Sequence, residues 1–434
     1  MPASRNSLSV TMRQGSVLRH GSARYKMCPE PARKEDGKRN QGFCMKELRE
    51  NGGIPGGIIV LMAIMAGLTV ASIYYNQPLL GMISRELDIS HFTADMMTVV
   101  TQAGYAAGLM LVLPAGDLWS RRRIVIACML ASALMLLAIS LSGSIYLICA
   151  ASFVLGVSSV VPQLFIPLTA QFSEPRNRTR NIGFVLSGLL TGILAARVIS
   201  GFLGEWLGWR AMFLIAAAVM VICTAVCLFL MPLTKTNFSG TYLSLLRSII
   251  AIVRGHPRIR LNSVRSAFGF GSMLTLWACM AFHLAGEPFF CGSDAVGWLG
   301  LCGMAGAIAA SGMGRIIPRF GVKRLCVTGA LIQLLGWGVA FIFGGTWAGL
   351  IAALILVDVG TQCQQLSGQS GALAEIPGAS SRVNTVFMAT FFVGGCLGTF
   401  FAGLGWEHLG WTGVCLTGSL FASGSLLVSA FDRK

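Results

Sequence analysis

An aspartate far inside an apolar run has few stable arrangements. Asp358 lies about ten residues into the run 348–373, roughly 15 Å along a helix that rises 1.5 Å per residue. That depth is close to the midplane of a hydrocarbon layer of about 30 Å. A carboxylate there must be paired, reached by water or protonated. Its chemistry is therefore proton exchange or contact with a ligand; a structural acid bonded to a neighbouring helix is the alternative. Gln362 and Gln365 follow at i+4 and i+7 on the same face, whereas Gln364 points elsewhere. One polar stripe on an apolar helix predicts a wet cavity, although interhelical hydrogen bonding would use the same residues. Arg197 is the one basic residue wholly inside a run, about fifteen residues into 182–204 and roughly 22 Å from its start. It is either a charge partner near such a cavity or a side chain that extends to lipid headgroups.

Other runs carry polar residues beside prolines. Tyr75, Asn76 and Gln77 precede Pro78 late in the first run, and a proline there predicts a kink. Gln163 follows Pro162 in the fourth run, and His283 closes the seventh. Taken alone, His283 reads more simply as a satisfied interfacial histidine than as a proton relay. No Cys-x-x-C or His-rich spacing suggests a metal, and no cofactor is indicated. No phosphate-binding glycine loop and no soluble domain suggest ATP hydrolysis, and no His/Asp/Glu cluster in the runs suggests an enzyme.

The scaffold that must hold these residues is a membrane one. Of 434 residues, 54% are hydrophobic and 12% charged, which describes an all-α polytopic membrane protein in a lipid bilayer. Twelve apolar runs, at about 57–83, 94–115, 124–142, 145–169, 182–204, 211–232, 264–286, 296–316, 325–345, 348–373, 384–404 and 411–430, each approach the roughly 20 residues of a spanning helix. They are continuous and lack a period of two, so helices are expected and not a barrel. We number these runs as segments 1–12.

A net charge of +16 would suit nucleic acid, but its placement argues against that partner. The termini and loops 2–3, 4–5, 6–7, 8–9 and 10–11 hold thirty of the thirty-three Lys and Arg residues; the opposite loops hold only Arg85 and Arg210. That asymmetry predicts two cytoplasmic termini. Nearly all cysteines outside the tail lie in apolar runs and only Cys291 falls in an outer loop, so no external disulfide framework is expected. Residues 1–50, with eleven basic and five acidic residues and no apolar core, predict a disordered cytoplasmic tail without a secretory signal; Met45 is a second candidate start. Residues 51–232 form one six-segment half and 264–430 a second, with 431–434 as a short tail. The linker 233–263 has no acid, and Tyr242–Arg254 within it predicts an amphipathic helix at the inner surface.

The halves repeat. Asp117 with Arg121-Arg122-Arg123 corresponds to the stretch Gly314 to Arg324, where Pro318 takes the acid's position 201 residues on. Arg180-Asn181 before segment 5 is echoed by Arg382-Val383-Asn384 before segment 11, and Leu207-Gly208-Trp209 by Leu409-Gly410-Trp411, 202 residues on. Three matches at nearly one offset predict a duplicated six-helix unit.

At these residues the chain resembles the major facilitator superfamily, whose signature Gly-x-x-x-Asp-Arg-x-Gly-Arg-Arg lies between segments 2 and 3 with a weaker copy between segments 8 and 9. Asp117, Arg121 and Arg122 are kept; Leu113, Leu118 and Ser120 depart from it. The second copy keeps Gly314, Arg319, Gly321 and Lys323. Tyr74-Tyr75-Asn76-Gln77-Pro78 and Asp358-Val359-Gly360-Thr361-Gln362 resemble a bacterial branch of drug:proton antiporters and arabinose-efflux-like permeases, although the Gly-Pro pair of the antiporter motif is missing from segment 5. The resemblance implies a monomeric secondary transporter of the bacterial inner membrane, working by alternating access in the proton-coupled efflux of a small organic solute or drug, with segments 1, 4, 7 and 10 around a central cavity. Tyr75, Asn76, Gln77, Gln163, His283, Gln362 and Gln365 would then line the cavity, and Asp358 would couple to protons. Asp117, Arg121, Arg122, Arg319 and Lys323 would govern conformational switching, with Asp117 near the inner end of segment 11. An uptake permease, a symporter or a non-transporting sensor of the same fold are the alternatives. The small residues of segments 8 and 11, among them Gly300, Gly303, Gly306, Ala307, Ala310, Gly394, Gly395 and Gly398, predict close helix contacts, placed between the halves if the protein rocks.

Overall fold

In hydrocarbon an apolar chain must satisfy its own backbone, and every regular element among the described residues is helical. The computed structural model describes residues 48, 51–232, 241–303, 306, 316–317, 319–376 and 379–432, with backbone alone at Asp117, Thr179 and Ser380. Gly314, Pro318, Ala307 and Ala310 lie outside the described residues, as does nearly all of the basic tail. Nine helices among the described residues are long and apolar enough to cross a membrane. The last of them folds back on itself at Gly410, and the arrangement is consistent with twelve passes.

Segment 1 is broken where its proline predicted a kink. Helix α1 (Gly56–Ala71) ends before Tyr74, a short 3-10 turn covers Gln77–Leu79, and α2 (Leu80–Glu86) completes the crossing. Pro78 has no N–H to give, so the helical ladder cannot run through it. After α3 (His91–Leu118) and α4 (Arg121–Leu141), segment 4 breaks in the same manner into α5 (Ile145–Ser158) and α6 (Val161–Phe172), with Pro162 in the first turn of α6. The hydroxyls of Ser72 and Ser159 meet at 2.9 Å and tie the two breaks together.

Helices α7 (Arg178–Leu207) and α8 (Trp209–Leu230) form segments 5 and 6. The amphipathic α9 (Tyr242–Gly255) buries Leu245, Ile249 and Ile252 at i, i+4 and i+7. Its Tyr242 hydroxyl donates to the Leu111 carbonyl at 2.7 Å, and the ring stacks on Trp119 beside the arginine turn. Segment 7 is α10 (Pro257–Ala285), which begins seven residues earlier than its apolar run. Pro257 suits a first helical turn, and the polar start is stabilised by Arg265, which is buried and bonds Asp432 at 2.9 Å and Asn262. Helix α11 (Ser293–Gly300) opens segment 8; α12 (Val322–Phe343) and α13 (Trp347–Glu375) are segments 9 and 10, and α14 (Ser380–Ala430) holds segments 11 and 12.

The repeat has a physical counterpart. Gly208 and Gly410, each before a tryptophan, both take positive φ (84° and 57°), and both end one membrane helix and start the next. Glycines also recur at the tightest packing. A Cβ at Gly192 would stand 2.3 Å from the Gly67 carbonyl oxygen, and one at Gly188 2.3 Å from that of Ala63, so α7 touches α1 backbone to backbone. Gly398 and Gly394 meet Gly271 and Ala267 in the same way, at 2.2 Å, joining α14 to α10. The segment 11 glycines therefore pack inside the second half, and the expectation that they lie between halves is corrected.

Loops gather at two ends. At the arginine-poor end Arg210 binds Glu86 at 2.7 Å and donates to the Ser140 and Ser142 carbonyls, so three loops are pinned together. At the opposite end Arg121 donates to Gln171 at 2.9 Å, Arg122 to the Leu228 carbonyl, and Lys323 to the Asp432 carbonyl at 2.7 Å.

Candidate functional site

The broken helices and segments 2, 5, 7, 8, 10 and 11 surround a central cavity of about 120 Å³ that is open on one side. Its apolar wall includes Val70, Leu189, Ile193, Phe270, Met273, Met388, Phe391 and Phe392; its polar wall is Tyr74, Tyr105, Gln163, Arg197, Asp358, Thr361, Gln362 and Gln365. Cation and acid thus face one mostly apolar space.

Arg197 does not extend to headgroups. It is 3% exposed, its Nε donates to Gln77 Oε1 at 2.9 Å, and its guanidinium lies 4.0 Å from the ring centre of Trp277 and 5.1 Å from that of Tyr74. Contacts with aromatic faces favour a cation that water cannot reach. Its Nη2 has no hydrogen-bond partner. Asp358 is 6% exposed, and its Oδ1 also lacks a partner. The Trp277 indole N–H approaches Asp358 without reaching hydrogen-bond geometry, so one indole neighbours both charges. Arg197 and Asp358 are near enough for their charges to interact but make no ion pair. Segment 8 approaches the acid through Gly303, where a Cβ would come within 3.2 Å of Asp358 Oδ2.

The stripe expected on segment 10 is present, with Asp358, Thr361, Gln362 and Gln365 on the wall. Gln364 faces away, as its position on the helix requires. It bonds Gln333 at 2.7 Å and accepts from Ser425 at 2.5 Å, while Gln333 bonds Thr361 at 2.7 Å and the Gly269 carbonyl at 2.9 Å. These bonds lock α10, α12, α13 and α14 together behind the cavity.

Four residues expected on the wall are elsewhere. Tyr75 lies on a lateral groove between α1 and α7, and its neighbour Tyr74 takes the cavity position. Asn76 is buried against Thr98 at 2.9 Å, and Gln77 reaches the site only through Arg197. His283 stacks on Trp411 at 3.8 Å and bonds the Gly344 carbonyl at 2.9 Å, which makes it part of the packing at the end of the second half. Of the residues expected at the switch, Arg121, Arg122 and Lys323 hold contacts within the arginine-rich end, Arg319 is exposed, and the side chain of Asp117 lies outside the described residues.

Sequence reasoning passed over Tyr74, Trp277 and Asp95. Asp95 is fully buried near the start of α3; its Oδ1 has no partner and its Oδ2 is 3.9 Å from the Cys279 thiol. It lies on the seam between the halves, which is closed from the arginine-poor end to mid-depth. Along that seam Ser293 N–H donates to Glu205 at 3.0 Å, His91 packs on Phe282 with ring centres 4.3 Å apart, and Tyr105 meets Phe392 at the same separation. Among the described residues, no hydrogen bond or ring contact joins the membrane helices of the two halves beyond Tyr105 and Phe392.

Two bundles of helices closed at one end over a cavity that holds buried charge define a multi-pass membrane transporter with the major facilitator fold. The family model of the Major Facilitator Superfamily matches residues 62–399, and the chain belongs to that superfamily. It is 34% identical over 381 residues to the uncharacterized transporter YgaY of Escherichia coli O157:H7, covering 88% of this chain and 96% of that one. It is 32% identical to the probable transporter SCO4007 of Streptomyces coelicolor over 82% of this chain and 83% of the relative. Among solved structures, an inward-facing bacterial homologue of the human lysosomal transporter Spinster superposes with a TM-score of 0.68 at 14% identity, over 86% of this chain and 94% of that chain.

Proposed function

We propose that the protein is a proton-coupled exporter of a small organic solute in the bacterial cytoplasmic membrane, with both termini in the cytoplasm and Asp358 as the coupling acid. The observation that carries this reading is the buried Asp358 carboxyl on the cavity wall, with one oxygen uncommitted and no ion pair to Arg197. A carboxylate at that depth is stable when neutral, or when water or a cation reaches it. Alternating access wets the cavity from each side in turn, so one acid can exchange protons with both compartments. A substrate that needs the same carboxylate then competes with the proton, which is the minimum required for exchange.

Switching is assigned to the arginine-rich end. Asp117, Arg121, Arg122, Arg319 and Lys323 act there by making and breaking contacts as that end opens. The tie from Arg121 to Gln171, which joins segments 3 and 4, and the packing of α9 on Trp119 at the end of segment 2 support this role, because both lie at the end that must rearrange. Solute flux into inverted vesicles, with and without an imposed pH gradient, tests the proposal. Export must depend on the gradient in the wild type. Flux indifferent to the gradient would refute proton coupling.

A further inference from the structure

Among the described residues the cavity wall carries one cation and one acid, and they are not used up on each other. Arg197 is fixed from behind by Gln77 and between two aromatic rings, which leaves Nη2 without a partner. Asp358 leaves Oδ1 without one, and beside its Oδ2 stands Gly303, which has no side chain. Buried polar groups are almost always satisfied, and a charged group left unsatisfied is costly. Two such groups of opposite sign on one cavity describe a binding site for both.

We infer that the cavity takes a small zwitterion with an apolar body, its carboxylate on Arg197 and its ammonium on Asp358. This rests on the cavity being the transport site and adds the chemical class of the substrate. A simple cation would meet Asp358 but also face an arginine it cannot neutralise; a simple anion would meet Arg197 and face the carboxylate. A molecule with both charges satisfies each and leaves the site neutral. Its body finds Phe270, Phe391 and Phe392, whose rings pack at 4.0 and 5.2 Å around Phe270.

The pairing fits exchange. An ammonium and a proton cannot occupy the Asp358 carboxylate together, so arrival of a zwitterion at a protonated site releases one proton to water. Charge balances: the protonated site carries the arginine's single positive charge, the loaded site none, and the proton takes the difference away.

The test is ligand stabilisation of the full chain purified in detergent, read as the shift of the thermal unfolding midpoint. The probes are L-leucine, L-methionine, L-phenylalanine and L-tryptophan, each compared with its carboxamide, which lacks the carboxylate, and its deaminated acid, which lacks the ammonium. At least one amino acid should raise the midpoint saturably, and its two counterparts should need about tenfold higher concentration or more, because each leaves one buried charge unmatched. Arg197→Gln should remove the discrimination against the carboxamide, and Asp358→Asn that against the deaminated acid. A counterpart that stabilises as well as its parent, or the failure of all four amino acids, overturns the inference. A bound zwitterion whose flux ignores a pH gradient would instead leave the substrate class standing and refute proton coupling.

Discussion

Gly192 and Gly398 are expected to respond to the same substitution alike, and opposite to Gly338. In Gly192→Ala the new Cβ would stand 2.3 Å from the Gly67 carbonyl oxygen and 2.4 Å from its Cα; in Gly398→Ala it would stand 2.2 Å from the Gly271 oxygen and 2.5 Å from its Cα. These separations fall roughly 1 Å inside the ordinary contact distance of about 3.5 Å, and the atoms met are backbone, which cannot rotate away. The helix pair must part, at a cost of about 1–3 kcal/mol for overpacking. The intrinsic helical gain of alanine over glycine, up to about 1 kcal/mol, offsets only part of that. Gly338 on α12 is exposed and has nothing within 4 Å of a Cβ, so Gly338→Ala receives the gain alone. Thermal unfolding of the three purified variants gives the answer. The midpoint should fall for Gly192→Ala and Gly398→Ala and hold or rise for Gly338→Ala. Equal behaviour of all three would refute the claim that these glycines set the spacing of α1 with α7 and of α10 with α14.

Three further outcomes follow from particular residues. Asp95→Asn keeps the shape of the seam and removes an acid whose Oδ1 has no partner, so its unfolding midpoint should equal or exceed that of the wild type; a fall of several degrees would show that the carboxyl holds a stabilising contact. Asp117→Asn should slow turnover and leave substrate affinity near normal, read from initial rates against equilibrium binding; lost affinity with intact turnover would exclude a switching role. Reporter fusions at Lys434 and in the loop around Gly292 should report opposite sides of the membrane, and the same side for both would contradict the topology.

Length, charge and repetition were legible in the sequence; rotation about the helix axis was not. Hydropathy locates a crossing but says little about which face turns inward, and neighbouring residues differ by about 100°. On unbroken α13 the stripe Asp358, Gln362 and Gln365 was read correctly, because one reference residue fixes the rest. Segment 1 breaks between Ala71 and Leu80, so counting through it fails, and Tyr75 was expected where Tyr74 stands. The start of α10 was missed because Asn262 and Arg265 are polar but buried against one another and Asp432, a pairing with a residue 167 positions away that no local window contains. Asp95 stands one turn into α3, where an acid reads as the border of a run; only its burial against Cys279 and Gly403 gives it significance. The glycine pairs carry a sequence signal of their own. Gly188 and Gly192 recur as Gly394 and Gly398, 206 residues on, and that spacing was visible without coordinates.

The central claim is that Asp358 couples a proton to solute movement. Asp358→Asn preserves size and hydrogen-bonding capacity while removing the exchangeable proton, so binding and driving force can be separated. The decisive measurement reconstitutes wild type and variant in proteoliposomes and follows one labelled solute in two modes: uphill flux driven by a pH gradient, and exchange at equal pH. The account predicts that Asp358→Asn abolishes the first while the second remains measurable. Uphill flux at the wild-type rate in the variant would contradict it.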